Sequence, residues 1–273
     1  MTDHMRIHEL HYSNTNTYLI ESESGKLLFD TGWAGTFQAF CRAMKDTGIQ
    51  VKDIDLILIS HFHPDHMGIA QEIANLGVSI FVADVQKEHI HDADGIFAKE
   101  KGTHFEPVID EKVRYFSIEE GRKILNEIDL KGQIIHTPGH SDDSISLILD
   151  DGSVFVGDLN PIYELELHKG TQIEASWNKL LELKTKTIYY GHAKTARLDA
   201  KAVEDNTNGT EERNKYALVS AIIRYIDKGY DIEKIQKKTG SDREFIEDVM
   251  RMYLTHTNVG VQGILDRIEI KNR

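Results

Sequence analysis

The sequence predicts an α+β fold, a four-layer αβ/βα sandwich with two sheets face to face and helices outside, followed by a C-terminal helical appendage. Three observations lead there. Strand-like and helix-like stretches occur twice in the same rough order, the polar and turn-rich run EDNTNGTEER begins at residue 204, and the residues beyond it carry helical patterning. The predicted division is residues 1–204 for the layered body and 211–273 for the helical module.

In order, Thr17 to Glu21 and Lys26 to Asp30 read as two strands of a hairpin joined around Gly25. Phe37 to Thr47 reads as a helix closed by Gly48. The β-branched run Ile54 to Ile59 predicts a strand, Ile69 to Leu76 a helix and Val78 to Val82 another strand. Residues 84–125 are expected to mix helices and loops. Strands resume near Ile134, at Ser144 to Leu149 and at Val154 to Val156, with Asp150, Asp151 and Gly152 as the turn between the last two. Ala175 to Leu183 predicts a helix and Thr187 to Tyr190 a strand. In the tail, residues 231–254 read as helix, turn at Gly240, then a helix capped by Ser241.

Composition excludes several classes. In a chain of 273 residues a net charge of −13 disfavours sequence-independent attraction to nucleic acid, because phosphate neutralisation needs a basic face, so nucleic acid is not an expected partner. The tail superficially resembles a DNA-binding helix-turn-helix. Its second helix, however, carries Asp242, Glu244, Glu247 and Asp248, which would meet phosphates as like charges. A dimer contact or a cover over the pocket suits it better, so the expected partners are a small-molecule substrate and a second copy of the chain. No stretch approaches a membrane span and the first residues lack an apolar signal core, so no membrane partner and a cytoplasmic location are expected. The single cysteine, Cys41, allows no internal disulfide and is expected to be buried in its helix.

The chemistry concentrates in residues 61–66, HFHPDH, between a predicted strand and a predicted helix. Alternate side chains of an extended backbone fall on one side, so His61 and His63 can converge on one ion while Asp65 and His66 turn toward a second. Three further loops each follow a predicted strand: TPGH at 137–140, GD at 157–158 and GH at 191–192. Strand ends at one edge of a layered fold lie close together and can surround one cavity. Imidazole and carboxylate donors without a thiolate suit zinc, iron or manganese. A hydroxide held between two such cations is a nucleophile at neutral pH. Three of the four prolines, Pro64, Pro138 and Pro161, lie within three residues of a proposed donor and would stiffen these loops. Gly139, Gly157 and Gly191 each immediately precede one, where a side chain could obstruct the backbone.

The order and context of HFHPDH, TPGH, GD and YGH resemble the metallo-β-lactamase superfamily over roughly the first 200 residues. The resemblance implies His61, His63 and His140 as ligands of a first metal, Asp65, His66 and His192 as ligands of a second, and Asp158 as the bridging carboxylate. It implies a hydrolase with two Zn2+, with Fe or Mn as alternatives, that uses a metal-bridging hydroxide on a small ester, lactone or thioester. Asp65 would help orient the nucleophile. Asp30, in LLFDTG, resembles the superfamily's early Asp, which supports the ligand loop without binding metal. Tyr163, five residues after Asp158, could donate to a developing oxyanion as in the similar acyl-homoserine lactonases, although the spacing and the residues LNPI differ; a packed rim aromatic is the alternative.

Relatives resembling glyoxalase II are disfavoured because DLNPIYELE lacks basic residues for glutathione. The competing readings are an iron-dependent persulfide dioxygenase-like oxygenase and, more distantly, a nucleic-acid-binding regulator using the tail. His136 reads as structural, and His89, His91, His104 and His168 lack ligand spacing. Trp33 and Phe37 fit either core packing or an apolar wall for an acyl group.

Overall fold

The computed structural model describes residues 5–100, 102–198, 218–255 and 264. The chain divides into two compact units, residues 1–198 and 199–273. The stretch EDNTNGTEER lies outside the described residues.

In the first unit, one sheet is built from β1 (Arg6–Leu10), β2 (Thr17–Glu21), β3 (Lys26–Phe29), β4 (Leu56–Leu58), β5 (Ser79–Ala83) and β6 (Val113–Phe116), in that spatial order. The first three pair antiparallel and the rest parallel. The other sheet has the order β11-β10-β9-β8-β7, from β7 (Gly132–His136), β8 (Ile145–Leu149), β9 (Ser153–Phe155), β10 (Thr187–Tyr189) and β11 (Ala196–Arg197). Only β9 and β10 run parallel there.

The pleat explains why the strands are apolar on both faces. Leu19, Leu28, Ile57 and Ile80 point to an outer core shared with Phe40 and Met44 of α1 (Phe37–Thr47), Met67 of α2 (Pro64–Met67) and Ile73 of α3 (Ala70–Ala74). Their neighbours Tyr18, Ile20, Leu27, Phe29, Leu56 and Leu58 point the other way, onto Ile134, Ile145, Leu147 and Phe155 of the second sheet. The far face of that sheet, with Ile148, Val154 and Ile188, is covered by Trp177 and Leu180 of α6 (Gln172–Glu182). The layers are therefore helix, sheet, sheet, helix, as the sequence predicts.

Several local expectations change. The run Ile54 to Ile59 pairs only over Leu56–Leu58, because Val51–Asp53 closes a 3₁₀ turn before it and Ile59 already leads into the ligand loop. Residues 84–125 hold, besides α4 (Asp94–Phe97), the edge strand β6 and α5 (Gly121–Glu127). Helix α6 starts at Gln172, three residues before the predicted Ala175. Cys41 is half-buried at the rim of the outer core. Trp33 and Phe37 pack against that core, with Trp33 edge-on to Phe97 at 5.3 Å.

In the second unit, residues 218–227 are helical (α7), followed by α8 (Ile232–Thr239) and α9 (Arg243–Thr255). Gly240 closes α8 in the left-handed conformation. The cap of α9 is Asp242 instead of Ser241: its Oδ1 accepts from the backbone N–H of Phe245 at 2.8 Å. Val219, Ile222, Ile235, Ile246 and Val249 form a small apolar core. Among the described residues, no helix is long and apolar enough to cross a membrane.

Candidate metal centre

The HFHPDH loop runs from the end of β4 into α2, with His63 extended at the helix start and Pro64 in the first turn. Its backbone is anchored from two sides. Asp143, buried after the TPGH loop, accepts from Phe62 N–H at 2.7 Å, and Thr31 N–H donates to His66 O at 2.7 Å.

The seven predicted donors meet. In a first group, His63 Nδ1 lies 3.0 Å from both His61 Nε2 and His140 Nε2. In a second, Asp65 Oδ2 lies 2.9 Å from His192 Nε2 and 3.8 Å from His66 Nε2. Within each group the donor atoms lie within 4.8 Å of one another. Asp158 stands between the groups. Its Oδ1 is 3.1 Å from His66 Nε2 and 3.4 Å from His192 Nε2, and its Oδ2 is 3.5 Å from His140 Nε2. His61 and His66 are buried, whereas His63 and His140 open to solvent and mark the accessible side.

On three of the histidines the ring nitrogen facing away from the centre is engaged by a protein group. His66 Nδ1 meets Asp30 Oδ2 at 2.8 Å, His61 Nδ1 meets Ser60 Oγ at 3.0 Å, and His192 Nδ1 meets the Asn14 carbonyl at 3.0 Å. Such partners fix ring orientation and leave the other nitrogen as a ligand. Asp30 serves both groups, since it also accepts from Ser60 N–H at 2.7 Å and Ser60 Oγ–H at 2.9 Å. It does so from a left-handed backbone, φ 62°, a conformation aspartate tolerates better than most residues.

Glycine at 157 and 191 has a steric reason. A Cβ on Gly191 would meet Asp158 Oδ1 at 2.7 Å and His66 Cε1 at 2.8 Å, and one on Gly157 would meet Ser60 Cβ at 2.5 Å. Gly157 also has a positive φ of 54°; at Gly191 the need is for space alone.

Burial alone would lower His66 basicity, but the Asp158 and Asp30 carboxylates outweigh it and hold the imidazole well above its ordinary range. Burial, reinforced by the neighbouring His66, pushes His61 well below. Burial would raise Asp158, yet His66 and the surrounding imidazoles hold it well below the usual carboxylate range. The donor set fits a cation. His66 Nε2 and Asp158 Oδ1 are buried, 3.1 Å apart, and neither forms an aligned hydrogen bond, which leaves two strong donor atoms unsatisfied. The cluster can coordinate one metal ion or two.

Tyr163 is 47% exposed on the 3₁₀ segment Ile162–His168. The five histidines that lack ligand spacing or read as structural pair with protein groups: His136 with the Asp142 carbonyl, His89 with Asp92, His91 with Asp94 and Asp110, His104 with Glu106, and His168 with Glu164. Sequence reasoning missed Ser60, Asp143, Asn14 and Asn16. Only Ser60, adjacent to His61, had a positional signal.

Residues 12–192 match the family described as the metallo-beta-lactamase superfamily. The beta-lactamase-like protein 2 homolog of Drosophila melanogaster is 26% identical over 211 residues, 75% of this chain and 67% of its own length. A Methanocaldococcus jannaschii protein named "Probable metallo-hydrolase MJ0888" is 30% identical over 148 residues, 53% of this chain and 66% of its own. Atrochrysone carboxyl ACP thioesterase of Aspergillus terreus is 26% identical over 150 residues, 53% of this chain and 38% of its own. The chain thus spans about two thirds of the first two relatives and less than half of the third. The protein TTHA1623, crystallised in a di-iron-bound form, superposes with a TM-score of 0.51 at 25% identity over 70% of this chain and 94% of its own. With family match, layered fold and donor cluster in agreement, the chain belongs to the metallo-β-lactamase superfamily.

Proposed function

We propose that this metal-dependent hydrolase holds two ions, zinc first with iron or manganese as alternatives, and cleaves a small ester, lactone or thioester. The observation that carries the reading is the Asp158 carboxylate, whose two oxygens face the two donor groups, with Oδ1 and His66 Nε2 both buried and unsatisfied. When bound, the cations would supply an activated water at neutral pH and polarise the substrate carbonyl. His61, His63 and His140 would hold the first ion, Asp65, His66 and His192 the second, and Asp158 both.

The residues' own tasks follow from their settings. Burial would raise the Asp65 carboxyl, but the hydrogen bond from His192 and the charge of His66 hold it below its ordinary value. It stays ionised and can orient the attacking water by accepting a hydrogen bond. Tyr163 is assigned as donor to the developing oxyanion, supported by its exposure on the turn just after the bridging carboxylate. Tyr163→Phe should lower kcat more than it changes KM; an unchanged kcat would leave it a rim aromatic.

The thioesterase relative supports the acyl-ester class, and the protein crystallised with two irons supports keeping iron among the metals. The test is metal quantification on protein purified without added zinc, paired with lactone, thioester and phosphodiester substrates. Two equivalents of metal and preferential lactone or thioester hydrolysis that disappears with chelation are expected. Full activity in stripped protein, or turnover of the phosphodiester alone, would overturn the proposal. A single iron with oxygen consumption on a persulfide would move it to the oxygenase reading.

The module at 211–273 is proposed as a dimer contact or a pocket cover. Deleting it should change oligomeric state or activity; no change in either would refute the assignment.

A further inference from the structure

Resting on the two-ion reading above, we propose that the turn between β1 and β2, through Asn16 and Thr15, is the positioning device of the second metal position and not of the first. Asn16 brackets the GH loop. Its side-chain Nδ2 donates to the carbonyls of Tyr190 and Ala193, both at 3.1 Å, and its backbone N–H donates to Gly191 O at 2.7 Å. Carbonyls on both sides of His192 are therefore held by one residue, and both hydrogens of one amide are used.

The same turn sets the ring itself. Nδ1 of His192 faces the Asn14 carbonyl at 3.0 Å, and a nitrogen facing a carbonyl must carry the proton. Nε2, which donates to Asp65 Oδ2 at 2.9 Å and lies near Asp158 Oδ1, is then the nitrogen left to give up its proton and face an ion. Thr15, 1% exposed, donates its hydroxyl to the backbone carbonyl of Asp65 at 2.7 Å. Three consecutive residues thus fix two of the second ion's three terminal donors, across more than 170 positions of sequence in the case of His192. The first group draws on different supports: Ser60 Oγ on His61, and Asp143 on the Phe62 N–H beside it. Groups that orient a ligand in this way typically change metal affinity by about 10–100-fold when removed.

Asparagine at position 16 has a discriminating isostere. Asn16→Asp keeps the size but loses both N–H donors and would set a carboxylate against two carbonyl oxygens, so it should be at least as damaging as Asn16→Ala.

The experiment is a stepwise Co2+ titration of the full-length, metal-free chain, following the visible absorption of each equivalent, on wild type, Asn16→Ala, Asn16→Asp and Thr15→Val. The expected result is one equivalent within about twofold of wild type and the other weakened about tenfold or more. Equal weakening of both equivalents would reveal a general loosening and overturn the proposal, as would no weakening of either. A wild-type chain that takes up only one equivalent would instead overturn the two-ion reading, a result visible before any variant is compared. Should the Asn16 variants fail to fold, Thr15→Val removes one hydroxyl and reads the same selectivity.

Discussion

Asp30 Oδ2 lies 2.8 Å from His66 Nδ1, with the two side chains 1% and 0% exposed. One carboxylate in a strained turn thereby orients a donor of the second group directly and, through Ser60 Oγ, His61 of the first. Asp30→Ala would leave His66 and Ser60 without their acceptor, and breaking a buried charged pair costs about 3–5 kcal/mol. Urea unfolding should register that loss, and metal affinity should fall about 10–100-fold. Full stability with full metal content would contradict the role given to Asp30.

The same pair predicts a proton count. In the metal-free protein the Asp158 and Asp30 carboxylates keep His66 protonated above its ordinary range, overcoming burial. A group with a raised folded-state pKa stabilises the fold below its unfolded value, and that contribution disappears as pH rises through the folded value. An ion must displace the proton from Nε2, so metal binding should release protons at neutral pH and tighten as pH rises. Calorimetry in buffers of different ionisation enthalpy measures the release; buffer-independent heats would rule it out.

Gly191→Ala tests the role proposed for the Asp158 carboxylate by steric means. The added methyl would meet Asp158 Oδ1 and His66 Cε1 below 3 Å, so the carboxylate must shift. A displacement of about 1 Å in a catalytic site costs on the order of 100-fold in rate. The circular dichroism spectrum should be unchanged while kcat/KM falls by about that factor. Near-normal kcat/KM would show that the Asp158 position tolerates displacement.

Trp177 links packing to the same loop. It is fully buried under the second sheet, and its Nε1–H donates to the Asn160 carbonyl at 2.8 Å, two residues past Asp158. Trp177→Phe keeps much of the ring but leaves that carbonyl without its donor, for about 1–3 kcal/mol. Trp177→Ala should cost about 3–5 kcal/mol, because it also opens a cavity. Denaturant midpoints order the two variants; equal midpoints would assign the whole effect to the hydrogen bond.

The donors were legible because each lies in a short motif after an apolar run, where strand ends place side chains at one edge. The central strands were legible for a similar reason: residues such as Leu27, Leu28, Ile57 and Leu58 form buried apolar runs. β1 and β6 were not, since their edge positions leave most residues partly exposed and erase the periodicity, as at Val113–Phe116. Asp242 displaced Ser241 as a cap because the choice of helix start depends on one residue of register.

By itself, the sequence determined the layered fold class and the order along the chain of the seven candidate donors, through local periodicity, residue chemistry and the resemblance of their motifs to a known family. Tertiary structure decided which oxygen of Asp158 faces which histidines, which ring nitrogen of His192 faces the Asn14 carbonyl, and that Asn16 holds a loop 174 residues away. Those depend on hydrogen bonds between distant backbone segments, whose directions are set only when the two sheets pack and bring their strand ends together.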